Sequence, residues 1–426
     1  MKERKKSEEK KEHKKQWREY TATVEDIQNF LMDRVLLRHN VITGRVEFRI
    51  PDTDNWQPIS DRIVNSLWAE LSATKTVRVQ DMYRVIESDF VPEFHPFRFY
   101  LEHLPPWNGE DYILAMSVSV NVKGGVEEQL LFAEYLRKWL VGMVAGWVDE
   151  SVVNNVILVL IGEQGSYKTT WFNHLLPPEL RQYFYTKTNA QRMGRDDLLT
   201  LAQYGLVCCE ELDTMRPSEL NQLKAAVTMP SIDERAAYAH FHEHRKHIAS
   251  FCGTGNNVQF LTDPTGNRRW LPFEVVSIES PREHPFNYEG IYAQAYALYL
   301  GSFRYWFSKV EIERLAAHNG AFEAPQLERE LISERFRVPG PGETGEFVTS
   351  GYIMQAISGS LSQKLSANKL GRAMSDLGFR RMRSQGERGY VVVVCSADEI
   401  KARKRIRACD AKPENGDAFD ANDTIF

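Results

Sequence analysis

The 426-residue sequence has few cysteines and no long apolar run. Its five cysteines, Cys208, Cys209, Cys252, Cys395 and Cys409, include no CxxC pair, so they read as reduced thiols in a cytosolic protein. No apolar stretch approaches the ~18 residues that a membrane helix needs, and the charged start has no signal-peptide pattern. The expected location is therefore the cytoplasm, with no membrane partner. An excess of positive charge is also missing. The net charge of −5 argues against wholesale coating of nucleic acid, although it leaves room for a local basic pore or hairpin. Internal repeats are absent too. What is present is the composition of a globular protein, 42% hydrophobic and 26% charged, long enough for two to four domains.

The most informative stretch is residues 155–176, NVILVLIGEQGSYKTTWFNHLL. Residues 156–161 form an unbroken apolar run of strand length, 162–168 a short loop bearing Gly and Ser, and 169–176 a helical pattern stopped by Pro177-Pro178. In a strand–loop–helix of this kind the backbone N–H groups of the loop and helix start converge on one concavity, which suits a phosphate. The expected nucleotide-binding residues are Gly162, Glu163, Gln164, Gly165, Ser166, Tyr167, Lys168, Thr169 and Thr170. Lys168 adds a charge for the β/γ-phosphates, and the Thr169 hydroxyl is placed to ligate Mg²⁺. Tyr167 stands where the usual pattern has a glycine. ATP with Mg²⁺ is the expected cofactor pair.

Downstream residues add catalytic groups. The short apolar strand Leu206-Val207-Cys208-Cys209 runs into Glu210-Glu211, which places paired carboxylates at a sheet edge. Glu210 is assigned to the metal and Glu211 to the attacking water. Residues 247–252 read as the next buried strand, and Asn256 just beyond it is suited to hydrogen-bond that water and sense the γ-phosphate. Arg268 and Arg269 follow a glycine turn, and either guanidinium suits charge developing on a transferring phosphoryl group, acting on a neighbouring subunit's nucleotide in a ring. Between these strands, residues 233–247 hold four of the eleven histidines. The preferred reading is a hairpin touching nucleic acid through Arg235, His242, His244, Arg245 and Lys246, with a solvated hairpin as the plain alternative.

Around this centre the chain divides in order. Residues 1–19 carry nine Lys/Arg and five Glu and read as a charged arm. Residues 20–124 read as a mainly helical N-terminal domain, ended by the break at 104–109. Residues 125–300 alternate apolar strands with helical patterns, the signature of an α/β parallel sheet, and open with an apolar helix over 127–148. A helix and linker occupy 301–345. Residues 346–395 read as helices over 347–357 and 367–377 followed by strands over 379–383 and 390–394, a winged-helix-like unit. Its hairpin carries Arg380, Arg381, Arg383 and Arg388, of which Arg381 and Arg383 are the expected DNA contacts, against a reading as a solvated basic face. Residues 396–426 read as a disordered tail.

In order and spacing, GEQGSYKTT (162–170), LVCCEELD (206–213), Lys224, Arg235 with Tyr238, SFCGTGNN (250–257) and DPTGNRRW (263–270) resemble the virulence-associated E family, near the phage- and poxvirus-type primase-helicases of helicase superfamily 3. The resemblance covers about 155–275, with support from 94–109. It implies an AAA+-like P-loop ATPase core, a homo-oligomeric ring such as a hexamer around single-stranded or forked DNA, and replication of a phage or other mobile genetic element. It carries Lys168 and Thr169 to nucleotide and Mg²⁺, Glu210 and Glu211 to the acidic motif, Asn256 to the sensor, and Arg268 or Arg269 to the arginine finger. No primase-like acidic set precedes the core, so a separate primase or initiator is an expected partner. The first functional expectation is a DNA-translocating ATPase of replicative helicase type. The second is an ATP-dependent DNA-binding initiator or regulator that does not unwind.

Overall fold

The apolar run that opens the glycine loop becomes strand β6 (Ile157–Ile161), buried over its whole length at the middle of a six-stranded sheet. The structure, a computed structural model, describes residues 21–188, 195–234, 243–261, 267–324, 327–358, 367–384 and 386–401. The sheet is built from β5 (Val120–Val122), β6, β7 (Phe184–Lys187), β8 (Leu206–Cys209), β11 (Ser250–Gly255) and β12 (Trp270–Ile278). Their order is β5-β12-β6-β11-β8-β7, all parallel except β5, which lies antiparallel on β12.

Both faces of this sheet are buried, which is why its strands are continuous apolar runs. Alternate residues feed two cores: Leu158 and Leu160 point to one side, Ile157, Val159 and Ile161 to the other. The first side is covered by α6 (Gly125–Val148) and α10 (Tyr288–Leu300), the second by α8 (Arg195–Gln203) and α9 (Pro217–Val227). Apolar nearly all round, α6 is buried continuously from Leu131 to Trp147 apart from Glu134 and Arg137. Its two buried indoles fasten it to the sheet, Trp139 donating to the Phe251 carbonyl and Trp147 to that of Gly205, each at 3.0 Å.

The region before this core combines helices with a small sheet that the expectation for 20–124 did not include. It contains a sheet of order β3-β2-β1-β4, with β1 Leu36–Asn40, β2 Arg45–Arg49, β3 Gln57–Pro58 and β4 Glu93–Phe94. Helices α1 (Val24–Arg34), α2 (Asp61–Ser72) and α3 (Val79–Ile86) cover one face. The strands are short and alternate with charge. Leu37, Val46 and Phe48 face the helices, while Arg38 and Glu47 pair on the other face at 2.7 Å. Helix α1 itself begins at a capping box between Thr23 and Asp26.

This small sheet is one body with the six-stranded sheet. The buried Asn40 amide donates to Glu47 and to the Tyr183 hydroxyl, both at 2.7 Å, and the compact unit continues to Glu323. The stretch read as helix and linker supplies part of that unit. In α11 (Lys309–Asn319), Leu315 is fully buried and Asn319 donates to the carbonyls of Asn267 and Trp270.

From Ala324 onward a second compact unit forms. It comprises α12 (Leu327–Arg335), β13 (Phe336–Arg337), β14 (Glu346–Thr349), α13 (Ser350–Ser358), α14 (Ala367–Asp376), β15 (Arg380–Ser384) and β16 (Glu387–Val394). Strand β16 pairs antiparallel with the other three. The helix expected from 347 starts three residues later, because Phe347 and Val348 pair with β16 and the Thr349 hydroxyl caps the helix at Tyr352.

Candidate functional site

At the C-terminal edge of β6 the chain turns sharply into α7 (Lys168–Leu175). Gly162 passes so close to β12 that a Cβ there would lie 2.8 Å from the Val275 carbonyl. Gly165 has φ +86°, ordinary for glycine. Tyr167 adopts φ +62°, a left-handed conformation that a side chain makes costly. Its carbonyl accepts from Trp171 N at 2.8 Å, closing the first turn of the helix.

Lys168 is 7% exposed and its ammonium curls back into the loop. It donates to the carbonyls of Gly162 and Glu163 at 2.8 and 2.6 Å, to Ser166 Oγ at 3.2 Å and to Asn256 Oδ1 at 3.5 Å. Burial holds its pKa below the ordinary lysine value, and the Asp213 carboxylate works in the opposite direction.

The acidic residues approach from β8. Glu210, half-buried, accepts the Thr169 hydroxyl at 2.8 Å. Glu211 next to it is exposed and has φ +54°, so a second side chain at this site occupies the left-handed region. Strand β11 lies between β6 and β8, with Gly255 opposite Ile161 and Gly253 opposite Cys209. Its tip therefore delivers Asn256 between the loop and the two glutamates. Together, residues 164–170, Glu210, Glu211, Thr254, Gly255 and Asn256 line a cavity of about 410 Å³.

Asp213 has no role that the sequence pattern alone assigns. The structure places its Oδ2 at 3.1 Å from Asn257 N and its Oδ1 against Gly255, so it braces the turn that carries Asn256. Gly253 and Gly255 provide the room, since a Cβ at Gly253 would come within 2.3 Å of Leu212. A third acid two residues after Glu-Glu was the available signal. Lys224 is buried in α9 and donates to Asn221 Oδ1 at 3.3 Å, within its own helix.

Other expected residues lie elsewhere. Arg268 and Arg269 precede β12, where Trp270 pairs with Ile157 at the start of β6. The glycine loop leaves the other end of that strand, about 16 Å away at the usual rise per residue. Within one chain the arginines and the loop thus occupy opposite edges of the sheet. Burial and its neighbour Arg268 lower the Arg269 pKa, and neither side chain makes a hydrogen bond or ion pair among the described residues.

In the hairpin of β9 (Ser231–Glu234) and β10 (Glu243–Lys246), Arg245 sits opposite the buried Ile232. Its guanidinium packs on the β1–β2 turn, where a Cβ on Gly44 would be 2.6 Å from Nη2. His244 and Lys246 are exposed, whereas Arg235 and His242 lie outside the described residues. His247 is a core residue, its Nδ1 2.7 Å from the Met229 carbonyl and its pKa lowered by burial. In the second unit, Arg380, Arg381, Arg383 and Arg388 are all exposed, and Arg383 stands directly opposite Arg388.

The search of curated proteins finds no match to this chain. Among solved structures, an apo structure of the NrS-1 C-terminal region aligns over 86% of this chain and 98% of that one, with 12% identity and a TM-score of 0.47. A second, the A form of the same region, aligns over the same shares with 13% identity and a TM-score of 0.46. The family model described as the virulence-associated protein E-like domain matches residues 101–324, more than half of the sequence and the whole of the site around Lys168. The chain belongs to the virulence-associated protein E-like family.

Proposed function

We propose that this protein is an ATP-hydrolysing motor of replicative helicase type that acts on single-stranded or forked DNA in a phage or other mobile genetic element. The observation that carries this reading is the convergence of Lys168, Thr169, Glu210 and Asn256 on one cavity at the C-terminal edge of a parallel sheet. In an α/β sheet this edge is where ligands bind.

Three of the four oxygens around the Lys168 ammonium belong to its own loop, and phosphate oxygens are better partners for it. Mg²⁺ fits the donors present: Thr169 and Glu210 offer one hydroxyl and one carboxylate, both hard oxygen ligands. Such an ion would neutralise charge developing on the phosphates. Glu211, exposed beside Glu210, orients or deprotonates the attacking water, while Asn256 reports the γ-phosphate to the Asp213-braced turn.

Because Arg268 and Arg269 lie on the opposite edge from their own loop, a finger role requires a second subunit, which supports a homo-oligomeric ring. DNA would meet His244 and Lys246 of the hairpin, and Arg381 and Arg383 of the winged-helix-like second unit. Arg245, committed to the Gly44 turn, is better suited to setting the hairpin's angle.

Strand displacement on a forked duplex tests the reading. ATP-dependent unwinding supports it. ATP turnover with DNA binding and no displacement would favour the initiator or regulator.

A further inference from the structure

At the edge of the sheet opposite the phosphate loop, a second cavity of about 460 Å³ is lined by Arg268, Arg269, Tyr305, Trp306 and residues 151–156. Three of its properties point to a ligand. Two consecutive arginines line it and no carboxylate is among the lining residues, so their like charges favour an anion there. Trp306 is 58% exposed, yet its ring is held edge-on to Tyr305 with centroids 5.2 Å apart, leaving an indole surface open to stacking. The volume lies in the range of small-molecule sites.

We propose that this cavity is a nucleoside-phosphate site separate from the one at Lys168. A base stacks on Trp306 and its phosphate is held by Arg268 and Arg269, the pairing of aromatic ring and guanidinium that suits nucleotide units of any sequence. The nucleoside phosphate has two possible sources, a free nucleotide or one unit of a single strand. A nucleotide held by a neighbouring subunit's phosphate loop would meet the same arginines, so the experiment must remove that loop's contribution.

The test uses the full chain carrying Lys168→Ala, with a fluorescent ATP analogue and a short labelled oligothymidylate as probes. Saturable binding of either probe, weakened about tenfold by adding Trp306→Ala, is the expected result. Retention of the ATP analogue identifies a free-nucleotide site, and retention of the oligothymidylate alone identifies a strand-binding site. Arg268→Glu, at an exposed position, repeats the test should the tryptophan variant fail to fold. Loss of both probes in Lys168→Ala overturns the proposal and leaves the arginines only a role on a neighbour's nucleotide. Residual binding indifferent to the added substitutions overturns it as well.

Discussion

The Thr169 hydroxyl donates to the Glu210 carboxylate at 2.8 Å, joining the first turn of the helix after the glycine loop to the end of a strand two places away in the sheet. This contact sets the distance between the two oxygens proposed to ligate Mg²⁺. Thr169→Val and Glu210→Gln should each raise the Mg²⁺ concentration needed for half-maximal ATP turnover, by about tenfold or more. A metal titration of turnover checks this, and an unchanged midpoint in both variants would contradict the assignment.

Glu211 is expected to behave differently from its neighbour. If it handles the attacking water, Glu211→Gln lowers the turnover rate about 100-fold while the dissociation constant for ATP changes little. Rapid-mix single-turnover assays alongside equilibrium binding separate the two quantities. Loss of binding with the turnover of bound ATP intact would move Glu211 out of the water-handling role.

Tyr167 carries a cost that glycine would not. Holding a tyrosine at φ +62° costs on the order of 1 kcal/mol, of which glycine's greater unfolded-state freedom gives back about half, so Tyr167→Gly should raise the thermal midpoint by about 1 °C or less. Calorimetry measures this directly. A fall in the midpoint would mean that the tyrosine ring contributes more than its backbone costs.

Asp213 holds Asn256 in place at one remove, through the backbone N–H of Asn257. Asp213→Ala should lower the turnover rate about tenfold with little change in KM, and Asp213→Asn, which keeps an acceptor oxygen, should restore most of it. Equal losses in both variants would mean that the charge matters rather than the brace.

Acid sensitivity should have a component at Glu311. Burial pushes this carboxyl up, but the Ser308 N–H and hydroxyl and the Lys138 ammonium outweigh it and hold the pKa at about 2. A carboxylate depressed in the folded state stabilises above its unfolded pKa of about 4.3, and the contribution is lost as pH falls through the folded value. Glu311→Gln should therefore be less stable than wild type at pH 7, with the gap closing between about pH 4.5 and 2. Urea unfolding at a series of pH values reads the gap; a constant difference would place the effect in packing.

Much of the site was legible because its pieces are local. An apolar strand, a glycine loop, Lys168-Thr169 and a helix follow one another without a break, and Glu210 and Asn256 each end an apolar strand. What could not be read needed neighbours in space. The role of Asp213 depends on β11 running beside the turn after β8, and the inward position of Arg245 depends on which face of the hairpin meets the Gly44 turn. The separation of Arg268 and Arg269 from their own loop follows from the direction of β12, which spacing does not give. The N-terminal strands were missed because each is at most five residues long and half of their side chains are charged or polar on the face away from the helices.

The central claim is that Lys168 and its neighbours form a working ATPase site that responds to DNA. Steady-state ATP hydrolysis with and without single-stranded DNA, in wild type and Lys168→Ala, tests it most directly. The account predicts turnover that rises with DNA and falls at least 100-fold in the variant. Wild-type protein that binds ATP and does not hydrolyse it, with or without DNA, would contradict the account.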